Sequence, residues 1–317
     1  MLKLLITRKL PYPVLAKARE VFDVTVRDNT APLSREELVQ SLSDYDVVLP
    51  TLGDAYSADV FDAVPEPRTK LLANFGVGYN HIDAKAAKAA GIAVTNTPGA
   101  VTDATADIAM TLMLMTCRRA GEGERMLRAG QWEGWHPTQL LGLHMSGKTL
   151  GVVGMGRIGQ AIAQRAHFGF GMQVKFYNRS PKEVPFPAEQ IAELTDLAAA
   201  VDVLVIAVPG GSETHHLIDT HILNAMQPHA HLVNIARGDV VKEDDLIATL
   251  AEGRIAGAGL DVYEFEPKVP QALIDMENVT LLPHLGTAAL EVRVSMGLMA
   301  VDNAIAFAKG QPLPNPV

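Results

Sequence analysis

With 317 residues, 48% hydrophobic and 20% charged, the chain is too long for one ordinary domain and has enough apolar material for two cores. A formal net charge of -9, with no run of lysine or arginine, argues against a nucleic-acid partner. Any anionic ligand therefore has to be held by a few placed arginines and backbone amides. The single cysteine, Cys117, excludes an intrachain disulfide and, in the apolar run Ile108–Cys117, reads as a buried core thiol in a reducing compartment.

The first residues, MLKLLITRKLP, are broken too soon by charge and proline for a signal peptide. No stretch approaches the roughly 20 apolar residues of a membrane span. The expectation is a soluble, cytoplasmic protein with no membrane partner.

Short apolar runs alternate with helical stretches, the pattern of parallel α/β units. In the first hundred residues, strands are expected at Lys3–Thr7, Val24–Arg27, Val47–Pro50, Leu71–Asn74 and Ala93–Asn96. Helices such as Ser34–Leu42 and Asp83–Ala90 fall between them, the first opened by the capping-box pair Ser34 and Glu37. The turn Thr97-Pro98-Gly99 then leads into a long helix over Asp103–Arg119 and is a candidate hinge. A second series of strands follows at Thr149–Val153, Gln173–Tyr177, Val203–Ala207, His231–Ile235, Gly257–Asp261 and Val279–Leu282. A last helix covers Thr287–Lys309, and periodicity alone does not say on which series it packs.

Gly154-Met155-Gly156-Arg157-Ile158-Gly159 follows the first strand of the second series and opens a helix. Alone this G-x-G-x-x-G pattern is weak, but between strand and helix it is a dinucleotide fingerprint. Gly154 permits the tight turn, Gly156 lets the backbone approach a pyrophosphate, and Gly159 lets helix and strand pack closely. Unpaired amides at the helix start face the phosphates. An NAD site usually carries a carboxylate at the end of the next strand, for the ribose 2′-hydroxyl. Here Tyr177 is followed by Asn178-Arg179-Ser180, in which Arg179 can pair with a 2′-phosphate and its neighbours can hydrogen-bond to it. NADP(H) is therefore the expected cofactor, with NAD(H) as the alternative.

Three segments at the carboxyl ends of later strands hold reactive side chains: Ile235-Ala236-Arg237-Gly238, Asp261 to Pro267, and Pro283-His284-Leu285-Gly286. Reduction of a 2-oxo acid needs a fork for the carboxylate, a proton donor for the carbonyl and a group to tune that donor. Arginine, histidine and a carboxylate are those groups. Both Glu264 and Glu266 could serve as the carboxylate. The other histidines, including His215-His216, lack metal-ligand spacing, and no metal is expected.

These motifs, with Asn74 to Asp83, Thr95-Asn96-Thr97-Pro98 and Ala104-Thr105-Ala106-Asp107, resemble those of the D-isomer-specific 2-hydroxyacid dehydrogenases, and within them the glyoxylate/hydroxypyruvate reductases. The resemblance covers essentially the whole chain. It implies two Rossmann-like, doubly wound domains: a flavodoxin-like substrate domain over 1–98 and 287–317, and a dinucleotide-binding domain over 99–286. It implies that Arg237 holds the substrate carboxylate and carbonyl, that His284 is the acid/base, and that Glu266, just before Pro267, hydrogen-bonds His284, leaving Glu264 as a solvated neighbour. It also brings Leu52, Val77 and Gly78 to the substrate. On the cofactor it places Thr105, Val208 and Pro209, with Ile235, Ala236, Asp261 and Gly286 from the three segments. A homodimer is implied, with the loop holding Trp132 and Trp135 reaching towards a partner subunit, so that Trp135 limits substrate size; packing within its own domain is the alternative.

Four other readings compete. A D-lactate-type enzyme would more typically carry an acidic residue after Tyr177. A phosphoglycerate dehydrogenase often has a C-terminal regulatory domain, for which Val317 leaves no room. A phosphite dehydrogenase uses a lysine where Phe75-Gly76-Val77 stands. A dinucleotide-sensing corepressor can retain the same three site residues and would separate only by its lack of turnover.

Overall fold

A computed structural model describes all residues, Met1 to Val317. The chain divides into two compact units, one made of Met1–Val101 and Thr287–Val317, the other of Thr102–Gly286.

The first unit opens with β1 (Lys3–Ile6), α1 (Tyr12–Arg19), β2 (Asp23–Val26), α2 (Arg35–Asp44) and β3 (Val47–Leu49). It continues with α3 (Ala58–Asp62), β4 (Leu71–Ala73), α4 (Ala84–Ala89) and β5 (Ala93–Thr95). All five strands pair in parallel in the order β2-β1-β3-β4-β5. Central strands such as β3 are buried at every residue, which is why they read as unbroken apolar runs. Helix α2 starts at Ser34 with the full capping box: the Ser34 hydroxyl accepts from the Glu37 amide, and the Glu37 carboxylate accepts from the Ser34 amide.

The second unit runs α5 (Thr102–Cys117), α6 (Ala120–Arg128), β6 (Thr149–Val153), α7 (Arg157–Phe170), β7 (Gln173–Tyr177) and β8 (Glu189–Gln190). Then come α8 (Leu194–Ala199), β9 (Val203–Ile206), α9 (Thr220–Ala225), β10 (His231–Asn234) and α10 (Glu243–Ala251). It closes with β11 (Gly257–Leu260), α11 (Gln271–Asp275) and β12 (Val279–Leu281). Its seven strands are parallel in the order β12-β11-β10-β9-β6-β7-β8. Side chains alternate across this sheet. Leu204, Ile206 and Leu232 enter a core on one face, while Val203, Val205 and Val233 join α5 and α7 on the other. Both faces are covered, as a doubly wound fold requires. Cys117 is fully buried at the end of α5, and burial pushes its thiol up to about 12, so it is inert packing.

The last helix, α12 (Leu290–Ala308), packs on α1 and β4 and so belongs to the first unit. Its Gly297 lies so near Val14 that a Cβ would come within 2.5 Å of that side chain. Beyond the helix the chain returns to the sheet edge, where the Val317 amide donates to Val94 O and the Asn96 amide to Asn315 O. No helix is long and apolar enough to cross a membrane.

Candidate active site

The glycine turn is built by close backbone contacts. Gly154 leaves β6 at φ +98, and a Cβ there would come within 2.9 Å of Ala207 O. A Cβ on Gly159 would lie 2.1 Å from Gly154 O, so only glycine lets α7 start this close to the strand. Gly156, by contrast, faces open space and caps the helix without a side-chain hydrogen bond. The first-turn amides of α7, beginning at Arg157 and Ile158, are therefore free to meet a phosphate. The site thus fits a dinucleotide: an open backbone cradle, free donors and a helix start.

At the end of β7, Asn178 Oδ1 accepts from the Met155 amide at 3.2 Å and its amide nitrogen donates to Ser180 O at 2.9 Å. Arg179 is exposed and pairs with Glu213. Glu213 was not foreseen from sequence, because it comes from the turn after β9, on the far side of β6 in the sheet. Nearby, the Thr214 hydroxyl donates to Pro209 O at 2.7 Å, bracing the Val208–Pro209 segment.

Arg237 follows β10, where the Asn234 carboxamide accepts from the Ala236 amide and donates to Arg237 O. The guanidinium is half-buried and donates to Ala236 O at 2.6 Å, yet no carboxylate comes within ion-pair distance. Burial pulls its pKa below the usual value, opposed by the charges of Glu266 and Asp239. Gly238 is wedged against the next loop: a Cβ there would come 1.8 Å from the Tyr263 carbonyl carbon.

Asp261, at the end of β11, shapes the turn that carries His284. Its two carboxylate oxygens accept from the amides of Leu285 at 2.6 Å and Gly286 at 2.8 Å. Its carbonyl accepts from the His284 amide at 2.9 Å. Burial pushes the Asp261 carboxyl up, against the lowering pull of those two amides. Thr105 Oγ1 adds a bond to Gly286 O at 3.1 Å. These ties hold His284 at φ +54, left-handed backbone that a non-glycine residue adopts only when its surroundings impose it.

His284 Nδ1 lies 2.9 Å from Glu266 Oε2, and Glu266 Oε1 accepts from the Tyr263 amide at 3.2 Å. Burial alone would raise the Glu266 pKa. The hydrogen bond and charge of His284, the Tyr263 amide and the Arg237 charge outweigh it and hold the carboxyl below its usual range. An ionised Glu266 only accepts, so Nδ1 carries the proton and Nε2 points elsewhere. The expectation that Glu264 is a solvated neighbour fails. Its carboxylate is half-buried, 2.8 Å from His216 Nε2, and accepts from the Glu243 amide, because the loop turns consecutive carboxylates to different partners.

In the first unit, Val77 and Gly78 lie in the loop after β4. Its carbonyls are tied down, Val77 O by the Asn96 amide group and Gly78 O by that of Asn74. The Val77 and Gly78 amides themselves donate to nothing. Leu52 is exposed in the loop after β3. Trp135 is 81% exposed and Trp132 53%.

A glycine cradle for a pyrophosphate at one end of a parallel sheet, with an imidazole, its acid and an unpaired guanidinium at the same strand ends, defines a nicotinamide-dinucleotide oxidoreductase. Residues 110–286 match the family model described as D-isomer specific 2-hydroxyacid dehydrogenase, NAD binding domain. The chain is 43% identical to the glyoxylate reductase of Thermococcus onnurineus, over 98% of this chain and 94% of that one. It is 44% identical to that of Thermococcus kodakarensis over 98% and 95%. Among solved structures, an NADPH-dependent glyoxylate/hydroxypyruvate reductase from Sinorhizobium meliloti, in complex with NADP and malonate, superposes with a TM-score of 0.88. That relative is 36% identical, with 99% of this chain and 96% of the other covered. The chain belongs to the D-isomer-specific 2-hydroxyacid dehydrogenases, oxidoreductases that act on CH–OH groups.

Proposed function

We propose that this chain reduces a small 2-oxo acid, glyoxylate or hydroxypyruvate, to glycolate or D-glycerate, with NADPH preferred over NADH. The observation that carries this reading is the Arg237 guanidinium, half-buried beside the His284–Glu266 pair and lacking any carboxylate of its own chain. A half-buried cation without a partner is costly unless an anion arrives. A 2-oxo acid brings one, next to the carbonyl to be protonated.

Gly154–Gly159 would hold the pyrophosphate, and Asn178, Arg179 and Ser180 the 2′-phosphate. Ile235, Ala236, Thr105, Val208, Pro209, Asp261 and Gly286 would frame the rest of the cofactor. When bound, the reduced nicotinamide supplies the hydride. His284, protonated, gives its Nε2 proton to the carbonyl oxygen, and ionised Glu266 steadies the imidazolium through Nδ1. Arg237 grips the carboxylate as a planar fork, which orients the carbonyl for protonation by His284. For the first unit, the Val77 and Gly78 amides, which donate to nothing within that unit, and Leu52 are the residues that the family resemblance assigns to the substrate. The homodimer, and Trp135 as a wall supplied to a neighbouring copy, are part of the same proposal, supported by how fully that side chain is exposed.

Glu213 favours a second reading of cofactor choice. Its carboxylate competes with a 2′-phosphate for Arg179 and could accept from a 2′-hydroxyl, so NADH remains usable. The test is a panel of 2-oxo acids (glyoxylate, hydroxypyruvate, pyruvate) with both cofactors, following absorbance of the reduced nicotinamide. NADPH with glyoxylate or hydroxypyruvate should give the highest kcat/KM. No turnover with any acid would identify a dinucleotide-binding module instead of an enzyme.

A further inference from the structure

Away from Arg237, His284 and Glu266, the second unit gathers another set of ligand-type side chains. His215 and His216 close the turn at residues 211–216, where the amides of Thr214 and His215 both donate to Gly211 O. Neighbouring side chains ordinarily diverge, but His216 has left-handed backbone at φ +52, and its amide is anchored on Asp239 O at 2.7 Å. The result is two rings on one side, centroids 3.8 Å apart and tilted by 32°. Glu264 arrives from the loop after β11, 48 residues on, with Oε1 2.8 Å from His216 Nε2. One ligand atom from each of the three residues lies within 4.8 Å of the others.

We propose that His215, His216 and Glu264 form a binding site for a divalent transition metal of the zinc class. Two imidazoles and a carboxylate suit Zn²⁺, Co²⁺ or Ni²⁺, whereas Mg²⁺ and Ca²⁺ prefer oxygen donors alone. Ligand atoms bonded at about 2.0–2.2 Å in a tetrahedron stand about 3.4 Å apart, so the set closes when His215 turns inward and the His216–Glu264 pair opens from 2.8 Å, and water takes the fourth position. The carboxylate is already oriented, as metal ligands usually are: Glu264 Oε2 accepts from the Glu243 amide, and the Glu264 amide donates back to Glu243 Oε2. Spacing within the sequence does not reveal the site, because the third ligand comes from a distant loop.

The metal would fasten the turn that follows Val208–Pro209 to the loop that carries Glu266. Gly238, packed on the Tyr263–Glu264 peptide, would be held by the same clamp. Binding stands independently of the reaction proposed above. Only an effect on turnover would rest on it.

The test is titration of the untagged, chelator-stripped full chain with CoCl₂, read by calorimetry and by ligand-field absorption, and repeated with ZnCl₂. About one Co²⁺ per chain is expected, with the visible bands of a site of low coordination number. His215→Ala and Glu264→Gln should each weaken binding by about tenfold or more, since even outer partners of a ligand cost that much. His144→Ala, at an exposed histidine elsewhere, should leave binding unchanged. Absence of saturable binding by the wild-type chain, full affinity in either site variant, or loss in the His144 variant would overturn the proposal. His215 is exposed, so its variant should keep the fold even if Glu264→Gln disturbs the loop, and its result then decides alone.

Discussion

His284 is placed by its neighbours rather than by its own preferences. Asp261 fixes the backbone on either side of it, and Glu266 fixes the ring. Removing the ring should therefore disturb chemistry more than structure. His284→Ala is expected to lower kcat by about 10²–10⁴-fold with little change in NADPH affinity, measured by stopped-flow turnover and by fluorescence titration of the cofactor. Arg237→Lys keeps the charge but loses the fork, and kcat/KM for glyoxylate should fall by about 10- to 100-fold. At the other end of the cofactor, Glu213→Gln frees Arg179 and should raise the NADPH-to-NADH ratio of kcat/KM, while Arg179→Ala combined with Asn178→Asp should lower it. An unchanged ratio in both would remove these residues from cofactor choice. Residue types and strand-end positions made Arg237 and His284 readable in the sequence, whereas the choice of Glu266 over Glu264 came from the family resemblance alone. The Arg179–Glu213 pair and the His216–Glu264 pair were not, because each joins segments that only the folded sheet brings together.

At the scale of elements, the strands were legible because a parallel sheet covered on both faces demands continuous apolar runs. The observed strands fall within about a residue of those expected, since each run ends where a polar or special residue takes over, as at Asn74 or Asp261. Strand β8 escaped notice: two exposed polar residues, Glu189 and Gln190, have no periodicity to detect. The packing role of Gly238 was equally hidden. Gly238→Ala would drive a methyl into the Tyr263 backbone and displace the loop bearing Glu266, which should cost about 1–3 kcal/mol and lower kcat together with Tm. Calorimetry and turnover on the same preparation would test that coupling.

His231, at the start of β10, makes a separate point. Burial pulls its pKa down to about 4, and its Nδ1 has no partner. A folded pKa below the unfolded value of about 6.5 means the unfolded chain binds the proton first. The associated stability is present above pH ~6.5 and is lost as pH falls towards 4, by up to about 3 kcal/mol. Urea midpoints of the wild-type chain should drop over that range, and His231→Leu should flatten the drop.

For the whole molecule, the central fact is that the first unit is discontinuous. Its sheet edge at β5 is finished by residues 315–317, and α12 covers α1 and β4, whereas residues 102–286 form a unit with an unbroken chain. Residues 102–286 expressed alone should give a cooperative thermal transition and bind NADPH, while a chain ending at Gly286 should leave the first unit unfolded to proteolysis. During synthesis on the ribosome, residues 102–286 can therefore complete their structure while residues 1–101, though made earlier, still wait for residues 287–317 to emerge. A chaperone that shields nascent chains would find its client in residues 1–101, and a premature stop codon just ahead of residue 287 would harm that earlier-translated part of the protein.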